Sequence, residues 1–274
     1  MSLFDAFRYD GKRVLVVGGA TGMGRAIAEL VLDAGAELVV MDFAEVDLPG
    51  AKSVHINLAE KASIDAALAA AGGTFDALFS AAGVADGTPG IERINFVGHR
   101  YLIDQLLAQD ALVRGSAIGF ISSAAGLGWE SNLPELQELL AISDFDAAAA
   151  WMVEHGKADY FNSKQAVCAY VAQEALPLLK RGIRINAICP GPTDTPLAQA
   201  NAATWLGFGA DYREEAGITP ATPAEQAYPL VFLCSAAGGA ITGQTIVSDS
   251  GYFAAGVTGS FPAATPIAKF LLGR

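Results

Sequence analysis

Tyr160 and Lys164 lie four positions apart in the segment YFNSK, which continues as QAVCAYVAQEAL with its apolar residues at helical spacing. Residues four apart lie on one face of an α-helix. On an exposed helix such a pair gains only about 0.3–0.5 kcal/mol and often marks an ordinary surface face. In a cleft with an effective dielectric constant near 20, a cation about 4 Å from a phenolate stabilises it by roughly 4 kcal/mol, or about three pKa units. The pair therefore predicts that Lys164 lowers the pKa of Tyr160, which then donates and accepts protons near neutral pH.

A second chemical pattern is the glycine-rich turn in VLVVGGATGMGRAIAEL, where a strand is followed by Gly18, Gly22 and Gly24 and by the start of a helix. Glycines lack side chains, so the backbone can approach a pyrophosphate, whose charge is met by amide groups and the positive end of the helix dipole. Glycines before a helix can also form an ordinary tight turn. The place of these glycines between a strand and a helix favours dinucleotide binding.

Asp42 ends the next strand, at the distance from the glycines that is expected of a ribose-binding carboxylate. A carboxylate accepts hydrogen bonds from a ribose 2′-hydroxyl and repels a 2′-phosphate. Thr21 and Phe43 stand where an NADP enzyme would have Arg or Lys. The sequence therefore predicts NAD as the cofactor. The alternative for Asp42 is a solvated acid at the end of a strand.

The elements that must position these residues follow from the hydrophobic pattern. Short runs rich in Val and Ile alternate with longer helical patterns, as is typical of a parallel sheet buried on both faces. Right-handed crossovers would wind them into a doubly wound α/β fold. Only ten residues, FAEVDLPGAK, separate the second and third strands, so we expect a vestigial helix there. The predicted strands are residues 13–18, 37–42, 53–57, 77–81, 117–122, 183–189 and 245–248.

The composition limits the domain organisation and the partners. Residues 1–274 contain no linker-like run, and 52% hydrophobic with 17% charged residues suits a single domain with a large core. The formal net charge of −12 argues against nucleic acid or an anionic membrane as a partner. The three cysteines predict buried thiols, and the N-terminus lacks a signal peptide's apolar core, so a cytoplasmic location is expected. His55, His99 and His155 lack neighbours at metal-ligand spacing, and no metal site is predicted.

With these residues identified, the chain from Lys12 to Tyr252 resembles the classical short-chain dehydrogenase/reductase family, which has a Rossmann-type fold. The resemblance also rests on Ser123 in ISSAAG after a strand, on Asn95 in RINFVG on a helix, and on CPGPTDTP after another strand. SDSGY near the end is similar to the family's Asp-Gly-Gly turn, with Ser250 in place of a glycine.

The resemblance implies a role for individual residues. Ser123 would hydrogen-bond the substrate oxygen, Tyr160 would exchange its proton, and Lys164 would also hold the nicotinamide ribose. Asn95 would position a water in the proton relay. Taken singly, Ser123 could be an ordinary strand-end serine and Asn95 a helix amide bonded to backbone. Thr193 could be a turn residue rather than a partner for the nicotinamide carboxamide. The cofactor would contact Gly18, Thr21, Gly22, Met23, Gly24, Asp42, Phe43, Asn57, Leu58, Ala81, Ala82, Gly83, Tyr160, Lys164, Pro190, Gly191, Thr193 and Thr195.

The chain departs from the family most clearly between Ser123 and Tyr160, where 37 positions indicate a helical insertion at about 127–157, before the catalytic helix. It reads as two short helices, with Pro134 able to begin the first and Ser143 able to cap the second. The insertion could be a flap packed on its own domain, a lid over the substrate or part of a subunit interface. A similar insertion marks the bacterial 3-alpha-hydroxysteroid dehydrogenase/carbonyl reductase branch, which this chain resembles. The expected apolar face comprises Leu133, Leu136, Leu139, Leu140, Phe145, Trp151 and Met152.

Two smaller departures fall on the cofactor side. Ser80-Ala81-Ala82-Gly83 replaces the family's Asn-Asn-Ala-Gly, and Asn57 replaces an aspartate expected near adenine.

The resemblance implies an NAD-dependent oxidoreductase that interconverts a secondary alcohol and a ketone. The alternatives are a 3-oxoacyl-thioester reductase of the same family and a non-catalytic NAD-sensing protein. The family also implies a homodimer or homotetramer, and the tail TPIAKFLLGR is expected either to reach a neighbouring subunit or to close the pocket. An apolar pocket for an alicyclic or steroid-like substrate is expected from Leu127, Trp129, Leu197, Trp205, Leu206 and Phe208, although these could instead be core or interface.

Overall fold

One seven-stranded parallel sheet forms the centre of the computed structural model, which describes residues 2–272. Its strand order is β3-β2-β1-β4-β5-β6-β7, and every neighbouring pair runs parallel. This is the doubly wound, Rossmann-type arrangement that the hydrophobic pattern predicted. The strands are β1 (Arg13–Val17), β2 (Glu37–Asp42), β3 (Ala51–His55), β4 (Phe75–Ser80), β5 (Leu112–Ile121), β6 (Arg184–Pro190) and β7 (Thr245–Ser248).

Helices cover both faces of the sheet. A π-helical turn, Arg93–Val97, leads directly into the third α-helix. Within residues 2–272, no helix is long and apolar enough to cross a bilayer. The α-helices are α1 (Gly22–Asp33), α2 (Lys61–Ala71), α3 (Gly98–Ala108), α4 (Leu133–Ala141), α5 (Phe145–Glu154), α6 (Tyr160–Lys180), α7 (Pro196–Ala200), α8 (Ala202–Trp205), α9 (Ala210–Ala216), α10 (Pro223–Cys234), α11 (Tyr252–Thr258) and α12 (Thr265–Leu271).

Alternate side chains of β1 enter two different cores. Val14 and Val16 pack with buried residues of α1 and α10 on one face of the sheet. Leu15 and Val17 pack with residues of α2, α3 and α6 on the other face. Successive side chains of a strand point to opposite faces, so a strand covered on both sides must be apolar throughout. The strand's carboxyl end then delivers the chain into the glycine turn.

Two local predictions were wrong. β5 begins at Leu112, well before the predicted start at residue 117, because Leu112 pairs with Phe75 beyond an irregularity in the β4–β5 register. The connection between β2 and β3, residues 43–50, contains no helix at all. It is too short for a helical crossover, which needs about a dozen residues or more. The other strand ends lie within two residues of the predicted ones.

The insertion before α6 consists of the two predicted helices, α4 and α5. Pro134 lies in the first turn of α4, as expected. The predicted cap of α5 was wrong, because Asp144 rather than Ser143 directly precedes the helix and accepts a 2.8 Å hydrogen bond from the Ala147 amide. All seven residues of the predicted apolar face are buried or partly buried. Four of them, Leu136, Leu139, Phe145 and Met152, belong to the same core as α3 and α6.

Candidate active site

Three of the predicted catalytic side chains meet at the carboxyl edge of the sheet. Ser123 follows β5, Tyr160 is the first residue of α6, and Lys164 lies one turn later; all three line one cleft. Helix α6 begins here because the Asp159 carboxylate accepts a 2.7 Å hydrogen bond from the Asn162 amide. The Tyr160 amide donates to Asp86 Oδ1 at 2.7 Å. These two contacts fix the point at which the phenol leaves the backbone.

The electrostatics of the pair differ from the prediction. Burial raises the pKa of Tyr160, and the nearby Ser123 hydroxyl only partly opposes this rise. Burial also lowers the pKa of Lys164 to about 8. The Lys164 Nζ lies 5.4 Å from the centroid of the Tyr160 ring and donates to the Ile121 carbonyl at 3.2 Å. The pKa of Tyr160 is therefore raised rather than lowered, contrary to the expectation, because desolvation is the largest influence on both groups.

Asn95 lies in the π-helical turn and is 1% exposed. Its Oδ1 accepts from the Val84 amide at 2.8 Å, and its Nδ2 donates to the Val84 carbonyl at 3.0 Å and to Ser163 Oγ at 3.3 Å. The side chain therefore holds the loop after β4 by two hydrogen bonds to the Val84 backbone. Bonding to backbone was the alternative considered for Asn95. Single π turns recur at functional sites. Asn95 Oδ1 and Lys164 Nζ flank Gly83, where an added Cβ would lie 3.4 and 3.5 Å from them.

The glycine turn is packed so closely that side chains do not fit. Gly18 has φ +90, and a Cβ there would lie 2.3 Å from the Ala82 amide nitrogen. A Cβ on Gly24 would lie 1.9 Å from the Gly18 carbonyl oxygen. Gly22 has φ +58 and faces the Thr195 side chain. A bare backbone at the start of α1 is the cradle that a dinucleotide pyrophosphate requires, so these residues fit the predicted cofactor.

A cleft of about 500 Å³ runs along the glycine turn. The Asp42 carboxylate is held at one end of it, where it accepts hydrogen bonds from the Ala20 amide at 2.8 Å and the Ala44 amide at 2.9 Å. Phe43 is exposed, with its ring 5.5 Å from that of His55. Of the predicted cofactor residues, this cleft is lined by Gly18, Thr21, Gly22, Met23, Gly24, Asp42, Phe43, Asn57, Leu58, Ala81, Ala82, Gly83 and Thr195.

Asn57 and the two threonines are engaged locally. Asn57 accepts from the Ala59 amide at 3.0 Å and donates to Glu60 at 2.9 Å, which orients its amide at the rim of this cleft. Thr193 Oγ1 donates to the Gly191 carbonyl at 2.9 Å, as a turn residue would. Thr195 Oγ1 caps α7 by accepting from the Ala198 amide. Both threonines still line a cleft, so these local bonds orient their side chains rather than remove them from the site.

The second cleft, of about 340 Å³, is the predicted apolar pocket. Leu197, Trp205 and Phe208 line it as expected. Leu127, Trp129 and Leu206 do not, and Leu127 instead packs in a small core with Cys168 and Cys189. The missed lining residues include Phe161 of α6 and Ile267, Phe270 and Leu271 of α12. For the three α12 residues the sequence did hold a signal, because the apolar tail was expected to close the pocket or reach a neighbouring subunit. Gly273 and Arg274 of that tail lie outside the described residues.

The two clefts share lining residues at Met23, Ala81, Gly83, Thr195 and Leu197. All eighteen predicted cofactor residues line one cleft or the other, with Tyr160, Lys164, Pro190, Gly191 and Thr193 on the apolar side. The arrangement can therefore hold an elongated cofactor that runs along the glycine-turn cleft and reaches Tyr160 in the apolar cleft, where an apolar substrate would also lie.

The histidines and cysteines lie outside this arrangement. His99 is buried, its Nε2 lies 3.1 Å from the Ala82 carbonyl, and burial lowers its pKa to about 4. The His155 ring stacks on Trp151. Cys168, Cys189 and Cys234 are free and buried. In the part of the chain that the structure describes, no three His, Cys, Asp or Glu side chains are grouped to hold a metal ion.

Comparisons with known proteins agree with this geometry. The family model described as "Enoyl-(Acyl carrier protein) reductase" matches residues 18–253. Coniferyl-alcohol dehydrogenase of Pseudomonas sp. (strain HR199 / DSM 7063) is 28% identical over 250 residues, which are 88% of this chain and 96% of that protein. The 3-alpha-hydroxysteroid dehydrogenase/carbonyl reductase of Comamonas testosteroni is 30% identical over 256 residues, 87% of this chain and 95% of that protein.

A solved structure shares the architecture as well. The 3-alpha-hydroxysteroid dehydrogenase from Pseudomonas sp. B-0831, crystallised as a complex with NADH, superimposes with a TM-score of 0.72 at 25% identity, over 91% of this chain and 99% of that one. The match to the family model covers most of the chain and includes the glycine turn, Ser123, Tyr160 and Lys164. The chain belongs to the short-chain dehydrogenase/reductase family, whose members are oxidoreductases that bind nicotinamide cofactors.

Proposed function

We propose that this protein is an NAD-dependent oxidoreductase that interconverts a secondary alcohol and a ketone, with an apolar alicyclic or steroid-like substrate. The observation that carries the proposal is the meeting of Ser123, Tyr160 and Lys164 in an apolar cleft that shares lining residues with the glycine-turn cleft, among them Gly83 beside Lys164. Catalysis of this kind needs a proton donor beside the reacting oxygen and a positioned cofactor. The resemblance to a steroid dehydrogenase in both sequence and structure supports the same reading.

In the proposed reaction the bound nicotinamide supplies or accepts the hydride. Ser123 and Tyr160 hydrogen-bond the substrate oxygen. In the reducing direction, Tyr160 donates its proton to the carbonyl oxygen, which suits a phenol whose pKa is raised by burial and which is therefore protonated at neutral pH. In the oxidising direction, Tyr160 must first release its own proton to solvent, and the resulting phenolate takes the alcohol proton. Asn95 braces the loop beside Lys164, and the water that it was predicted to position remains a prediction.

Asp42 supports NAD over NADP. Two backbone amides orient its carboxylate at the end of the cleft, where the adenosine ribose is expected. Among the described residues that line this cleft, none is Lys or Arg. A 2′-phosphate would therefore meet a negative charge with no cation to offset it.

The second cleft supports a neutral, apolar substrate. Among the described residues that line it, Lys164 is the only charged one, and it lies beside Tyr160. Aromatic rings supply much of the remaining wall, from Phe161, Trp205, Phe208 and Phe270. A thioester carrier would need a cationic surface for its phosphates, and the chain carries a net charge of −12.

The test is a reduction assay with NADH and NADPH against cyclic ketones, a steroid ketone and an acyl thioester. We expect NADH-dependent reduction of the cyclic or steroid ketones, and loss of at least about 100-fold in kcat for Tyr160→Phe with NADH affinity kept. Reduction of the thioester with NADPH would instead favour the 3-oxoacyl-thioester reductase. NADH binding with no turnover of any ketone would favour the sensing protein.

We also propose a homodimer or homotetramer. Leu176 and Leu179 of α6 are large apolar side chains exposed on the longest helix, and their burial against a second copy would remove apolar surface from water. Sedimentation equilibrium tests this directly, and a monomer at micromolar concentration would contradict it.

A further inference from the structure

The C-terminal helix α12 forms a wall of the apolar cleft. Ile267, Phe270 and Leu271 line the cleft, and the Phe270 ring lies 6.0 Å from the ring of Phe161. Phe270 is 66% exposed, so much of its ring also contacts solvent. Trp205 also lines the cleft, and its ring lies 4.9 Å from that of Tyr160. A substrate that reaches Tyr160 therefore shares the cleft with both aromatic groups.

Two residues at the start of the insertion hold the carboxyl end of α12. A Cβ on Gly128 would lie 1.2 Å from the Leu271 carbonyl oxygen, so the tail backbone rests directly on this glycine. Ser131 Oγ donates to the Leu272 carbonyl at 3.1 Å. We call Gly128 and Ser131 the α12 seat. Because the carbonyls at a helix end lack partners within the helix, the Ser131 hydroxyl satisfies one of them.

The other end of α12 is fixed by its neighbour α11. Thr265 Oγ1 donates to the Gly256 carbonyl at 3.0 Å. A Cβ on Gly256 would lie 2.7 Å from the Ala264 carbonyl oxygen, so the two helices approach closely. Leu271 packs with Leu127 in a small buried cluster and also lines the cleft. The helix is thus held at both ends, and its position depends on the insertion as well as on the sheet.

We propose that α12 sets the size of substrate that the apolar cleft accepts, with Phe270 as the specificity-determining residue, and that the insertion positions α12 through the α12 seat. This inference rests on the proposed alcohol and ketone activity of the same cleft. A small cyclic ketone gains binding free energy from the Phe270 ring, whereas a larger fused-ring ketone must compete with it for space. The insertion thereby acts on specificity without contributing a residue to the cleft.

Four variants distinguish the role of Phe270 from that of the α12 seat. Phe270→Ala removes the wall, and Gly128→Ala displaces it, because the Leu271 backbone cannot share space with a Cβ. Gly156→Ala is the matched control: Gly156 has φ +64, close to φ +72 at Gly128, and a Cβ there has no atom within 4 Å. It lies just after the insertion's second helix and introduces similar backbone strain without touching α12. Should Gly128→Ala fail to fold, Ser131→Ala removes only the hydrogen bond of the seat.

The measurements are KM and kcat for cyclohexanone and for a steroid-sized fused-ring ketone, with the NADH dissociation constant from fluorescence titration. Phe270→Ala and Gly128→Ala are expected to raise KM for cyclohexanone about tenfold and to raise the ratio of kcat/KM for the large over the small ketone by a similar factor. NADH affinity and kcat stay within about twofold of native. Ser131→Ala moves the ratio in the same direction by less, and Gly156→Ala leaves it unchanged.

The inference is overturned if Phe270→Ala leaves the ratio unchanged, or if Gly156→Ala moves it as far as Gly128→Ala does. Amide hydrogen exchange across residues 265–272 tests the seat without any turnover, and Gly128→Ala is expected to speed exchange there about tenfold while Gly156→Ala does not. If Gly128→Ala leaves amide exchange in α12 unchanged, the claim that the α12 seat holds this helix is contradicted. If the native protein reduces no ketone, the proposed function fails, and the exchange result still decides whether the insertion holds α12.

Discussion

Replacing Lys164 by methionine is expected to stabilise the cofactor-free protein at pH 7. The side chain is 5% exposed, and burial is the main reason that its pKa falls from 10.5 to about 8, although the nearby Cys168 and Cys189 partly oppose the fall. At pH 7 the lysine is charged in both the folded and the unfolded chain, so the folded state bears the cost of a buried charge. At 1.36 kcal/mol per pKa unit, that cost is about 3 kcal/mol.

Methionine has a similar length and no charge, so it removes the cost and keeps most of the packing. It also removes the hydrogen bond to the Ile121 carbonyl, which costs about 1 kcal/mol. The expected net gain at pH 7 is therefore about 2 kcal/mol in the free energy of unfolding. The catalytic activity is lost, as is common where a buried charge serves function rather than stability.

The dependence on pH has a definite sign. The cost is complete below pH 8, because both states then bind the proton. Between pH 8 and 10.5 the folded protein has released the proton while the unfolded chain keeps it, so native stability rises with pH relative to Lys164→Met. The advantage of the variant at pH 7 should shrink by about 2 kcal/mol at pH 9.5.

Urea unfolding followed by the fluorescence of the three tryptophans measures both values. The control is Lys180→Met, an exposed lysine at the end of α6, which is expected to change the free energy of unfolding by less than about 0.5 kcal/mol at either pH. A Lys164→Met protein that is no more stable than native at pH 7, or whose advantage does not change with pH, would refute the reasoning that burial dominates this lysine.

Three further predictions concern single contacts. Ser250→Gly should raise the free energy of unfolding by about 1 kcal/mol, because Ser250 has φ +58, where a side chain strains the backbone. Calorimetry should show an unfolding midpoint higher by about 2–4 °C, and an unchanged midpoint would contradict this backbone strain. His99→Leu removes the hydrogen bond to the Ala82 carbonyl beside the glycine turn, so NADH should bind about fivefold more weakly by fluorescence titration. His99→Gln should restore much of the lost affinity. Equal NADH affinity for all three proteins would contradict a role of this bond in cofactor binding. Asp42→Asn removes the charge that disfavours a 2′-phosphate, so the kcat/KM ratio of NADPH to NADH should rise about tenfold or more, and a constant ratio would exclude this role for Asp42.

The sequence by itself determined the parallel sheet and the positions of its chemical groups. Apolar runs dictate strands covered on both faces. The glycine spacing marks the turn between β1 and α1, because Gly18 and Gly24 leave no room for a side chain and Gly22 has a positive φ. The four-residue spacing of Tyr160 and Lys164 likewise fixes their common helix face, whatever surrounds them. These signals are local, since each depends on residues within a few positions of one another, and so they can be read along the chain.

Only the tertiary structure decided what surrounds those groups. The pKa of Lys164 falls because distant segments, including Ile121 of β5, enclose it, and no spacing within α6 reveals how much water they exclude. The sequence left the tail undecided between a neighbouring subunit and the pocket, and only the packing of α12 on Gly128 placed Phe270 beside Phe161. Burial and pocket shape depend on contacts between residues far apart in the chain, which the local hydrophobic pattern does not encode.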